Sequence, residues 1–326
     1  MTNAISNVET EGAQETRLGP FIVLGVIAST IHSQLLRVRY QPDHRMLGPE
    51  FQSSHSSLKP NHIALLKIVR EEYQAHVQLG RAYDFEADLL VMLDHPGIIR
   101  SIAKGMHHGR KWIALEDIQG GTILQLREAL EGTEQRLHPN LVVHFISEMA
   151  DALIALHNIT LPKFSGSWVT HGSIQPGNIL LDGHGALHIY DFSFLRTAEY
   201  QPEFRDMEDH WRYQSPENSV AGTLGPPADI YSLGLIAHEL VTGVRLFSMD
   251  MSDSDCLGLL KGRPRLDWAE GIDIPVELQT LICEMTTPNP AQRIPNAQIL
   301  KQKIHQGIGL TPHSKAAMAM LARDFF

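Results

Sequence analysis

Apolar and polar residues change their rhythm part-way along the chain. In the first third, short apolar runs predict strands at 21–26, 34–40 and 63–69, and 111–118 reads as an edge strand. A mostly helical pattern interrupts them at 72–93. Between the second and third strands, residues 41–62 form a long polar loop with three prolines, a length more common in functional or disordered segments. Later the period lengthens. Pro139 at a first helical position opens a long helix whose apolar stripe is Val142, Phe145, Met149, Leu153 and Leu156, spaced for core packing. Residues 228–242 are apolar nearly all round, as a helix buried in a lobe must be, and Gly243 supplies its stop. Strands first and helices later predict an α+β chain, since doubly wound or barrel α/β folds alternate the two.

One stretch between those helices has a different pattern. After His171 and a turn at Pro176 come a short apolar strand (Ile179, Leu180, Leu181), a Gly-rich turn from Asp182 to Gly185, and a second strand ending at Ile189 and Tyr190. Asn178 and Asp191 then hang from neighbouring strand ends. An amide oxygen and a carboxylate are hard ligands suited to a nucleotide's Mg²⁺. Asn and Asp in such places also serve as plain turn residues bonding their own backbone.

Bulk properties narrow the class. The chain has 326 residues, 43% hydrophobic and 20% charged, ordinary values for a globular protein with a substantial core. A formal net charge of −10 argues against a dedicated nucleic-acid binder. No continuous apolar run approaches the roughly 18 residues of a membrane span, and the polar, acidic N-terminus has no signal-like segment. Cys256 and Cys283 have neither disulfide-framework nor zinc spacing, which fits a reducing, intracellular, cytoplasmic setting. The 18 histidines are scattered and read as surface and capping residues. Residues 1–19 read as a disordered N-terminal segment and 307–326 as a short apolar helix.

The order of motifs carries a family resemblance. His171-Gly172-Ser173-Ile174-Gln175-Pro176-Gly177-Asn178, the hairpin, and Asp191-Phe192-Ser193 resemble the catalytic loop and Asp-Phe-Gly motif of protein kinases. Lys67 in Ala64-Leu65-Leu66-Lys67, Glu86 and then His95 follow at the spacing of the family's third strand and first helix. Ser215-Pro216-Glu217 resembles Ala-Pro-Glu, Asp229 the helix-opening Asp that braces the catalytic loop, and Arg293 the Arg that pairs with the Glu217 position.

The resemblance covers about 20–305. It implies a bilobal kinase-like fold, with a small β-rich N-lobe over 20–118, a larger helical C-lobe over 119–305, and an extension over 306–326. It also implies a Lys67–Glu86 ion pair on the α- and β-phosphates of ATP, Mg²⁺ on Asn178 and Asp191, and adenine contacts from Leu65, Leu115 (the gatekeeper), Glu116, Ile118 and Leu180.

The departures sit on the chemistry. Ser173 replaces the catalytic Asp, Gly172 the preceding Arg, Gln175 the loop Lys, and Ser193 the Gly after Asp-Phe. A serine hydroxyl has no accessible conjugate base near neutral pH, and losing a general base removes about 10²–10⁴-fold of rate. Leu24-Gly25-Val26-Ile27-Ala28-Ser29-Thr30 keeps only the first Gly of the phosphate loop, and Leu65 replaces the Ala over the adenine. Retention of Lys67, Glu86, Asn178 and Asp191 fits Mg·ATP binding or a bracing role, and both stay open. Without the Gly172 arginine, a phosphorylated activation segment loses its partner, although Thr197 and Tyr200 are candidate acceptors. Two functions follow: a pseudokinase that signals by binding a protein partner, or an atypical phosphoryl or nucleotidyl transferase.

Overall fold

The computed structural model describes residues 16–29, 32–42, 52–54, 58–131, 136–160, 168–197, 210–220, 224–247, 251–252, 254–255, 266–268, 273–308 and 315–326. Residues 1–15, Thr30, most of the 41–62 loop, residues 161–167, Tyr200 and Cys256 lie outside them. The chain forms two compact units, one of residues 1–74 and 102–117, the other of 75–101 and 118–326.

The first unit is built on a seven-stranded sheet. Its strands are β1 (Arg17–Leu18), β2 (Phe21–Ser29), β3 (Ser33–Tyr40), β4 (Gln52–Ser54), β5 (Ile63–Val69), β6 (Ser101–His107) and β7 (Arg110–Glu116), in the order β1-β2-β3-β5-β7-β6-β4. Period-2 alternation sets the core. Ala64, Leu66 and Ile68 pack with Leu36, Val38, Trp112, Ala114 and Phe21, while Leu65 and Lys67 point to the opposite face.

Three expectations change here. β7 is not an edge strand: it lies between β5 and β6, and the unbroken buried run Trp112 to Leu115 covers both of its faces. The 41–62 loop contains β4, which pairs with β6. The stretch resembling a phosphate loop remains strand to Ser29, paired with Gln34, with register shifts at Val23/Gly25 and Val26/Ala28.

The second unit begins with α1 (Val77–Met92). The helix starts later than residue 72 because His76 caps it, its Nδ1 accepting from Leu79 N, and a short 3-10 turn (Glu71–Tyr73) precedes it. Past α1, Ile98 bridges Ile189, which ties this segment to the C-terminal part of the chain. There follow β8 (Gly120–Thr122), α2 (Ile123–Leu130), α3 (Pro139–His157), β9 (Val169–Thr170), β10 (Ile179–Asp182), β11 (Leu187–Ile189) and β12 (Arg196–Thr197). The helices α4 (Pro226–Thr242), α5 (Val276–Met285), α6 (Ala297–Gly307) and α7 (Lys315–Phe325) complete it.

α4 is the centre of this unit: every residue from Ala228 to Thr242 is buried, and Gly243 ends the helix at φ 72°. α3 packs on α4 and α6, and α5 on α4. Among the described residues α3 alone is long and apolar enough to cross a membrane by composition, and it is a core helix, with Val142, Phe145, Met149, Leu153 and Leu156 all buried. The histidines divide. His76 and His138 cap helices as expected, whereas His144, His157, His171, His188 and His238 are buried rather than superficial.

Candidate functional site

The hairpin β10–β11 positions the site. Asp182 nucleates its turn, accepting from the N–H groups of His184 and Ala186 and from His188 Nε2. Burial would raise this carboxyl, but those hydrogen bonds hold it below the ordinary range. β10 pairs with β11 on one side and β8 on the other, so Leu180 lies across from His188 and Thr122.

Asn178 immediately precedes β10 and Asp191 closely follows β11. The two ends are tied together, because Tyr190 N donates to Asn178 O at 3.1 Å and Tyr190 Oη to Gly177 O at 2.6 Å. The Asn178 amide donates to Ser173 O at 2.9 Å and to Ser173 Oγ at 3.2 Å, which leaves its Oδ1 as an acceptor. Ser173 itself is 4% exposed.

Asp191 adopts φ 63°, a left-handed conformation uncommon for a residue with a side chain and frequent at functional positions. Its Oδ1 accepts from the Ser193 hydroxyl at 2.8 Å and from Ser193 N at 3.3 Å. A glycine after Phe192 could not supply that hydroxyl. Asn178 Oδ1 and the Asp191 carboxylate are the oxygen donors expected for Mg²⁺, which takes one or two protein ligands and completes its shell with phosphate and water. The donor set fits the ion, with Ser193 competing for one carboxylate oxygen. Phe192 N donates to the fully buried Glu86 at 3.1 Å, and the Phe192 ring lies 4.6 Å from the His171 ring.

A second layer holds the loop. Asp229, 1% exposed at the start of α4, accepts from His171 N at 2.9 Å, Gly172 N at 3.0 Å and His157 Nε2 at 2.9 Å. His171 Nδ1 accepts from Ser173 N, so Nε2 carries the proton and donates to Tyr190 O. Gly172 has φ +74°, and a Cβ there would lie 2.5 Å from Phe194 O. The position that lacks the arginine is therefore closed by backbone. Farther out, Arg293 pairs bidentately with Glu217 at 2.7 and 2.9 Å, lies 4.8 Å over the Tyr231 ring, and donates to the carbonyls of Pro227, Thr287 and Pro288.

The site residues named from sequence separate by unit. Glu86, Ile118, Ser173, Asn178, Leu180 and Asp191 belong to the second unit, and Leu65, Lys67, Leu115 and Glu116 to the first. In the first unit, Leu65 pairs with Leu115 and Arg37, and Lys67 with Ile113 and Leu35. Thr197 is corrected as a phosphate acceptor: it is fully buried, because β12 pairs with β9.

Sequence reasoning passed over His157 and the hydroxyl of Ser193. A signal existed for His157, which falls four positions after Leu153 on the buried stripe of α3 and so needs a polar partner inside the core.

Comparison with known proteins gives a match to the protein kinase domain over residues 54–304. PrkC of Bacillus subtilis, a serine/threonine-protein kinase, is 24% identical over 73% of this chain and 35% of its own length. Serine/threonine-protein kinase 12 of Arabidopsis thaliana is 29% identical over 74% of this chain and 50% of its own. PknL of Mycobacterium tuberculosis is 26% identical over 71% and 56%. The matched region thus spans between about a third and a little over half of these relatives.

Proposed function

This chain belongs to the protein kinase domain family, and we propose that within it the chain is a pseudokinase. In this reading it takes up ATP with Mg²⁺, does not transfer the phosphoryl group, and signals inside the cell by binding a protein partner. Ser173 carries the reading. Its hydroxyl, held by the Asn178 amide at 3.2 Å, stands where the resemblance places the base that takes the acceptor's proton. A hydroxyl cannot take it near neutral pH. Gln175 also withholds the positive charge that would face the moving phosphoryl group.

Asn178 and Asp191 would hold Mg²⁺, which when bound would neutralise charge on the nucleotide phosphates. Lys67 would contribute its charge to the phosphates, and Leu65, Leu115, Glu116, Ile118 and Leu180 would meet the adenine. A shift in melting temperature with Mg·ATP, and no phosphate transfer to a generic protein substrate, is the expected pair of results. No shift at millimolar nucleotide would remove the nucleotide from the proposal and leave partner binding alone. The retained Asn178–Asp191 arrangement favours a second reading, an active atypical kinase, and transfer by the unaltered chain would establish it.

Two variants examine the metal site. Asp191→Asn should abolish the Mg²⁺ dependence of ATP binding while leaving the fold intact, since a neutral amide supplies no charge to the ion. An unchanged Mg²⁺ titration would place the ion elsewhere. Ser193→Gly should do the opposite. It removes the hydroxyl from Asp191 Oδ1, and losing one competing hydrogen bond should tighten Mg·ATP binding by about 3–10-fold. Equal or weaker binding in a titration at fixed Mg²⁺ would show that Ser193 orients the carboxylate rather than occupying it.

A further inference from the structure

The last helix, α7, lies beyond the region that matches the family, which ends at residue 304. Its covered residues are Met318, Ala319 and Ala322, a stripe at helical spacing, while Lys315, Ala316, Met320, Arg323 and Asp324 face solvent. It packs on β10. Two glycines shape the place where it rests. Gly185, in the β10–β11 turn at φ +80°, lies so close to the start of the helix that a Cβ would sit 2.1 Å from Lys315 O and 2.6 Å from Ala319 N. At the other end a Cβ on Gly121, in β8, would sit 2.3 Å from the Phe326 ring.

We propose that β8 and the β10–β11 hairpin form a docking seat for an Ala- and Met-containing amphipathic helix. The chain's own α7 fills this seat, and its occupancy sets the order of the hairpin that carries Asn178 and Asp191. The length of α7 supports the first half. An isolated helix of eleven residues is marginal in water, so α7 owes its form to the seat. Two of its three covered side chains are alanines, which bury little apolar area, so α7 opens at lower free energy than the core helix α4. Topology supports the second half. The seat is made from the strand beside β10 and from the turn joining β10 to β11, while Asn178 leads into β10 and Tyr190–Asp191 follows β11. A helix resting on the turn and on β8 therefore fixes both ends of the candidate site from one position. The inference does not depend on nucleotide binding.

Amide hydrogen exchange on the full chain tests it with two variants. Ala322→Arg damages the helix and leaves the seat. Gly121→Val damages the seat by placing branched atoms where the Phe326 ring rests, 2.3 Å from a Cβ at that position, and a β-branched residue suits a strand. Each should raise exchange by about tenfold or more across 315–326 and 179–189, with 226–242 unchanged. A synthetic peptide of residues 315–326, added in excess, should restore protection at 179–189 in Ala322→Arg and fail to do so in Gly121→Val.

Unchanged protection at 179–189 in both variants would make α7 a passenger and overturn the proposal. Loss of protection at 226–242 in both would make α7 part of the core rather than a docked helix. Failure of the peptide to rescue an Ala322→Arg chain whose 226–242 segment stays protected would equally overturn it. Should Ala322→Arg not fold, exchange in Gly121→Val decides the matter alone.

Discussion

Asp229→Ala should unfold at a far lower denaturant concentration than Asp191→Ala. Asp229 is an almost wholly buried acceptor for three donors, His171 N, Gly172 N and His157 Nε2, all between 2.9 and 3.0 Å. Truncation leaves two backbone N–H groups and a ring nitrogen inside the core, where each unsatisfied donor costs roughly 1–3 kcal/mol. The three share one carboxylate and need not add, so the expected loss is about 3–5 kcal/mol. Asp191 is partly exposed, and its Oδ1 accepts from its near neighbour Ser193, so its loss should cost less. Equal or reversed midpoints would contradict the bracing role.

The same comparison has a pH signature. Burial alone would raise the Asp229 carboxyl, but the hydrogen bond and charge of His157, with His171 and the Gly172 N–H, hold it below its ordinary 3.8. A carboxylate depressed in the folded state contributes stability that is fully present above the unfolded value and lost as pH falls through the folded one. The gap between the wild type and Asp229→Ala should therefore narrow as pH falls below about 4. A gap that widened in acid would mean that the carboxyl is protonated in the native state.

Period and punctuation revealed the elements whose neighbours in space are also neighbours in sequence. The stop of α4 at Gly243, the opening of α3 at Pro139 and the turn at Asp182 to Gly185 all depend on local backbone rules, and all stand where the sequence puts them. The placement of β7 inside the sheet was not accessible in that way. A buried run such as Trp112 to Leu115 reveals that both faces are covered only when its length is weighed against alternation, and the 111–118 pattern alone also fits an edge.

For the site, the ordered motifs anticipated the bracing contacts of Asp229 with the loop at His171 and Gly172, and the Glu217–Arg293 pair, and both are present as hydrogen bonds. What sequence could not supply were contacts made by departures from the motif. Ser193 reaches back to Asp191, and Phe194 O closes over Gly172. Both depend on backbone conformation, the left-handed Asp191 and Gly172, which residue type permits but does not dictate.

Those departures set the last expected result. Ser173→Asp with Gln175→Lys returns the acceptor base and the phosphate-facing charge, and the Asn178 amide that now donates to Ser173 Oγ can hold the new carboxylate. Little or no phosphate transfer should follow. Gly172 cannot be restored to arginine without displacing Phe194 O, so that part of the loop stays as it is. The phosphate-loop stretch stays paired as strand through Ser29, with Ile27 exposed on it, and Leu65 keeps the place of the alanine that the resemblance sets over the adenine. A nucleotide misplaced by about 1 Å can cost on the order of 10²-fold in rate even with every catalytic group present. Adding Ile27→Gly and Leu65→Ala to the loop repair should therefore raise transfer by about 10²-fold over the loop repair alone. The N-terminal pair by itself should give nothing, because it still lacks a base. Transfer to a generic protein substrate, measured across wild type, each pair and the combination at saturating Mg·ATP, separates these outcomes. Robust transfer by the loop repair alone would mean that Ile27 and Leu65 leave the nucleotide correctly placed, and that the catalytic loop was the whole of the defect.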